Sequence, residues 1–101
     1  MGLMLHRTNN FQEALRCFTR VIDKIQDDKT VFVARGKVYQ DMGNNLLAIK
    51  DFDTAIKLDK NYSKAFFRRG LSKYFIKRYH DAIDDFKDAK DKEEYLMETD
   101  D

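Results

Sequence analysis

The 101-residue sequence predicts an all-α fold, a superhelical stack of antiparallel helix pairs. Three observations predict it. Proline is absent and glycine occurs only four times, so little in the chain interrupts a helix on purpose. Apolar residues recur at helical spacing with charged residues between them. A shift of 34 residues also lays the chain on itself. Gly2, Gly36 and Gly70 coincide, as do Ala14, Ala48 and Ala82, and Phe18, Phe52 and Phe86. Leu15, Ile49 and Ile83 form another column, and Val21, Ala55 and Ala89 another. Phe32 pairs with Phe66, and Arg35 with Arg69.

Each repeat reads as two helices. The first unit, residues 1–28, is expected to be partial, with only Met1–Arg7 left of its first helix. Asn10, with Glu13 three residues on, forms a capping-box start for its second helix. Met1, Met4 and Leu5 would then lie on an exposed helical end, which implies either missing neighbouring repeats or self-association through that end.

In the second unit, residues 29–62, Phe32, Gly36 and Tyr39 mark the first helix and Gly43-Asn44 interrupts it. Asn44 is placed to cap a second helix carrying Ala48, Phe52, Ala55 and Ile56. The third unit, residues 63–96, repeats this, with Ser63 as the expected cap of its first helix. Residues 97–101 form an acidic tail that extends the last helix. Small residues on both helices (Gly36 with Ala48, Gly70 with Ala82) let the axes approach, and phenylalanines fill the space around each crossing. Leucine at Ala48 or Ala82 would overpack it, at a cost of about 1–3 kcal/mol.

These residues resemble the tetratricopeptide repeat (TPR) family. The resemblance rests on the period, the glycine of the first helix, the alanine and aromatic of the second, and the segment Tyr62-Ser63-Lys64-Ala65-Phe66-Phe67-Arg68-Arg69-Gly70. It covers nearly the whole chain and implies a right-handed superhelix that binds other proteins. Gln26, Lys60 and Glu94 replace the usual proline near each unit's end, Lys73 stands where Tyr39 predicts an aromatic, and Asn45 where Phe11 and Tyr79 have one.

The resemblance implies that the first helix of each unit lines an inner groove. Its spare faces carry Thr30, Val33, Ala34, Lys37, Gln40 and Asp41, then Lys64, Phe67, Arg68, Leu71, Tyr74 and Phe75. We therefore take Lys37, Gln40, Lys64, Phe67, Arg68, Leu71, Tyr74 and Phe75 as the candidate groove for an acidic partner segment with an apolar anchor. Charge supports this: Ser63–Arg78 holds six cations and no acid, whereas Tyr79–Asp101 holds three cations and ten acids. The two helices can also simply attract each other, through exposed pairs worth about 0–1 kcal/mol each. Lys64 and Arg68 match the third-unit cations of the carboxylate clamp with which TPR co-chaperones hold acidic chaperone tails. Leu3 and Ala34 stand where that clamp has asparagines, and its first lysine would lie before Met1.

Other chemistry is poorly provided for. The net charge is +1, so nothing global attracts nucleic acid or a membrane surface, although Lys64–Arg78 interleaves cations with aromatics. His6 and His80 have no partner at metal-ligand spacing, and no cofactor motif occurs. The lone Cys17 is expected to be a partly buried, inert thiol. Asp81, Asp84, Asp85 and Asp88 share one helical face, read as a solvated one. No enzyme is expected. The single cysteine and the absence of an apolar span fit the cytoplasm or a compartment continuous with it.

Overall fold

The computed structural model describes the backbone of residues 2–99 and the side chains of residues 10–93. Five helices follow one another: α1 (Gly2–Lys24), α2 (Lys29–Asp41), α3 (Asn45–Leu58), α4 (Ser63–Phe75) and α5 (Tyr79–Thr99). There is no strand among the described residues. The helices α2 and α3 form one antiparallel hairpin and α4 and α5 the next, with α4 also packed on α3 and α2. The stack measures 45 × 34 × 22 Å.

Both hairpins turn the same way. The amide of Gly43 donates to Gln40 O and that of Asn44 to Tyr39 O; Lys77 and Arg78 repeat this with Tyr74 O and Lys73 O. This is the Schellman closure, which needs a left-handed residue just past the helix end. Gly43 supplies it at φ +86°, and Lys77 adopts it at φ +70° despite its side chain. Asn44 then caps α3, accepting from the Leu47 amide at 3.4 Å as its sequence position predicts.

Most repeat-column residues of the two hairpins lie in the core, whereas Val21 and Ile83 are exposed. Ala48, Phe52, Ala55, Ala65 and Ala82 are almost wholly buried. A Cβ added at Gly36 would lie 2.6 Å from the Phe52 ring, and one at Gly70 2.7 Å from Phe86, so each glycine is the seat of an aromatic. Between the units, Phe32, Ala55 and Ala65 make one cluster, closed by Ile22, Val33, Ile56 and Tyr62.

Four expectations change. The first unit is not a partial hairpin: α1 is one continuous helix through Asn10, with no break before Glu13. Seven residues of a first helix make under two turns, too little buried surface to stabilise a turn over helix propagation. Ser63 is not a cap; Tyr62 holds that position without a side-chain bond, and Ser63 Oγ donates to Ala89 O of α5 at 2.9 Å. Cys17 is exposed rather than partly buried. Asp85 is not solvated: it is 3% exposed, because the repeat places an arginine opposite it. The apolar end expected at Met1, Met4 and Leu5, and the side chains of the tail at 97–101, lie outside the described residues.

Candidate functional site

Which cations of the basic helix are free depends on which α5 and α3 carboxylates they meet. Arg69 grips Asp85 through Nε (2.9 Å) and Nη2 (2.7 Å) and reaches back to Asp53 of the preceding unit through Nη1 (2.8 Å). Lys73 Nζ lies 3.1 Å from the same Asp85. The aromatic missing at position 73 is thus replaced by a second cation on a buried acid. One repeat earlier, Arg35 makes the same fork on buried Asp51 (2.8 and 2.7 Å) and reaches back to Thr19 (3.4 Å). Bonding to these carboxylates raises both guanidinium pKa values above the usual arginine range, against the opposing effect of burial. These side chains tie helices together and are not available to a ligand.

Lys64 and Arg68 differ. Neither has a carboxylate within 4 Å among the described residues, and they stand one turn apart on α4. Gln40 of α2 sits beside Arg68. Its amide donates to Arg68 O (2.9 Å) and to the buried Ser72 hydroxyl (2.7 Å), while its oxygen accepts from Arg68 Nη1 at 3.5 Å. Gln40 therefore joins α2 to α4 and orients the free guanidinium. Lys37 is exposed one turn before it on α2, and Leu71 is half-buried on α4.

The structure distributes the remaining candidates over two further places. Phe67 leans toward α5, its ring 5.8 Å from that of Phe86. Together with Lys64 it lines an open, mostly apolar cavity of about 720 Å³, whose other wall is Phe86, Ala89, Lys90 and Glu93 of α5. Tyr74 and Phe75 are exposed at the α4–α5 turn, where Tyr74 packs edge-on against Phe75 (6.0 Å) and Tyr79 (5.4 Å). Sequence reasoning missed the α5 wall and the Asp51 and Asp85 partners. Both were recoverable, because Asp51 and Asp85 are themselves 34 residues apart and Phe86 and Ala89 stand in repeat columns.

Among the described residues no three His, Cys, Asp or Glu side chains gather as a metal site, and no helix is long and apolar enough to cross a membrane. Paired helices stacked in register, with α2 joined to α4 through Gln40, define a helical-repeat protein-interaction module.

The chain belongs to the tetratricopeptide repeat family. The family's model matches residues 30–62. A solved structure of the second TPR domain of Spaghetti, bound to the Hsp90 peptide SRMEEVD, is 31% identical with a TM-score of 0.77, over 87% of this chain and 82% of that one. Among curated proteins, the translocon at the outer membrane of chloroplasts 64 of Pisum sativum is 35% identical over 87% of this chain. The Hsp70-Hsp90 organizing protein of Triticum aestivum is 25% identical over 84% of it. The chain spans about 15% of the length of each of these two relatives.

Proposed function

We propose that the domain holds an acidic segment of a protein partner on its inner face, gripped by Lys64 and Arg68 and flanked by Lys37, Gln40 and Leu71. The observation that carries this is a contrast on one helix. Arg69 and Lys73 are neutralised by Asp85 and Asp53, while Arg68 is oriented by an uncharged Gln40 and keeps its charge unspent. A guanidinium so placed binds a carboxylate through charge-assisted bonds with little ordering cost. Tyr74, Phe75 and Phe67 offer the apolar anchor at the margins of the same helix.

The chaperone-tail reading is favoured by the domain of Spaghetti, whose bound peptide SRMEEVD ends in acidic residues with a valine among them. Such a tail is the occupant we assign to this groove, as in a co-chaperone adaptor. The half-buried Ala34 offers no side-chain amide to it, so Lys64 and Arg68 supply the grip with Gln40 positioning. This reading places the chain in the cytosol or a compartment continuous with it.

Titration of fluorescently labelled SRMEEVD at low salt tests it. Binding is expected to weaken about tenfold or more with Arg68→Glu, and also as salt rises. Unchanged affinity in both Arg68→Glu and Lys64→Glu would remove the grip from these residues and the reading with it.

A further inference from the structure

Arg35 and Arg69 stand 34 residues apart and fork alike onto a buried carboxylate of their own unit, but they differ in what they reach in the unit before. Arg69 Nη1 meets the Asp53 carboxylate at 2.8 Å, whereas Arg35 Nη1 meets the Thr19 hydroxyl at 3.4 Å. Thr19 is the 34-residue counterpart of Asp53, so a neutral oxygen stands where the next repeat has an anion. With Nε and Nη2 of Arg35 committed to Asp51, Nη1 is aimed at an exposed hydroxyl that answers it weakly. That exposure belongs to the position on the helix. Asp53 lies on α3, which packs against both α2 and α4, and its side chain is still 45% exposed.

We infer that Thr19 is a phosphorylation site for an arginine-directed serine/threonine kinase, and that Arg35 binds the phosphate. Arg16 three residues before Thr19 and Arg20 just after it supply the cations that an acidic kinase cleft selects. The pattern Arg-x-x-Ser/Thr occurs twice in the chain, at Arg16–Thr19 and at Arg69–Ser72. Ser72 is fully buried and its hydroxyl accepts from Gln40, so the fold offers Thr19 and withholds Ser72. In the transfer, a bond forms from Thr19 Oγ1 to the γ-phosphorus of ATP as the bond to the ADP oxygen breaks, and the hydroxyl proton passes to the kinase's base. Thr19 lies in the last two turns of α1, so entry into the cleft requires opening of that end alone. The product sets three acceptor oxygens and a charge of about −1.5 to −2 before Arg35 Nη1. Asp23, one turn farther along α1, also acts on Arg35 and opposes the new charge, but it lies beyond 4 Å of the guanidinium. The phosphate then ties α1 to α2 as Asp53 and Arg69 tie α3 to α4.

The full chain, incubated with ATP and calmodulin-dependent protein kinase II, which takes Arg-x-x-Ser/Thr, provides the test, with the site mapped by mass spectrometry. Phosphate is expected on Thr19 and not on Ser72, and Thr19→Val should abolish it. The phosphorylated chain should melt about 3 °C or more above the unmodified one. A phosphorus-31 titration reads the contact with Arg35 itself. The second ionisation of the phosphate should fall about half a pH unit or more below that of the phosphorylated peptide Leu15–Asp23, which carries Arg16, Arg20 and Asp23 but not Arg35. Arg35→Lys, which keeps a cation for Asp51 but has no Nη1, should remove that difference; the wild-type titration decides the matter whether or not this variant folds. No phosphate on Thr19, a melting point unchanged or lowered by it, or an ionisation equal to the peptide's would each overturn the inference. None of these results depends on whether SRMEEVD binds.

Discussion

Arg69 and Arg68 are neighbours with opposite roles, and the difference is set by which carboxylates the repeat places around them. Asp85 is buried and receives both Arg69 and Lys73, so its removal leaves Lys73 without a carboxylate and Arg69 with Asp53 alone. Asp85→Ala is expected to cost about 3 kcal/mol in chemical denaturation, whereas Asp53→Ala, whose carboxylate is 45% exposed, should cost under about 1 kcal/mol. Gly36 and Gly70 provide a second contrast. Alanine gains about 1 kcal/mol of helix propensity at either, but its Cβ meets an aromatic ring. Phe52 is sealed and has nowhere to go, while Phe86 borders an open cavity. Gly36→Ala should therefore destabilise by about 1–3 kcal/mol and Gly70→Ala by clearly less, measured as midpoint shifts. Identical columns in the sequence concealed this difference, because the alignment of residues says nothing about what packs around each ring.

Ionisation adds a pH dependence at the turns. A hydrogen bond from Lys29, supported by the Asn61 amide, holds the Asp59 carboxyl below its ordinary range. Its contribution is complete above the ordinary carboxylate value of about 4 and is lost as pH falls through the lowered one. Lys29→Met should flatten that part of the acid limb of a stability–pH profile.

At the scale of elements, helix existence and type were legible throughout, since the period and the apolar spacing agree with every helix from α2 to α5. The failures fall at ends. Asn10 and Glu13 carry the pattern of a helix start, yet α1 passes through them, because a cap has value only where the chain must turn. Ser63 looked like a cap and instead bonds to Ala89 O, a partner 26 residues away that no local pattern reveals. Lys77 is the converse, a left-handed position filled by a residue that does not announce one. Lys77→Gly is expected to stabilise the chain by about 1 kcal/mol, read as a rise in the denaturation midpoint.

At the scale of the molecule, the repeat makes two kinds of surface. On one, α2 and α4 are joined by Gln40; on the other, Phe67 of α4 and Phe86 of α5 border an open cavity. The groove residues expected from the sequence are divided between these two places. Phe67, Tyr74 and Arg68 lie on one helix at spacings that allow a single groove, and only the packing of α5 shows that Phe67 leans toward Phe86 while Arg68 faces Gln40. The difference is set by contacts between elements, which periodicity along one helix does not encode. The charge asymmetry between α4 and α5 was likewise legible as a pattern, but its division into spent and unspent cations required the pairing of Asp85.

A residue-by-residue amide-shift titration of the labelled chain with SRMEEVD tests the inner-face grip most directly. The grip predicts that Lys37, Gln40, Lys64, Arg68 and Leu71 move together and saturate at one affinity, with the Arg68→Glu chain silent at the same peptide concentrations. Shifts gathered on α3 or the outer side of α5, with those five amides unmoved, would contradict it.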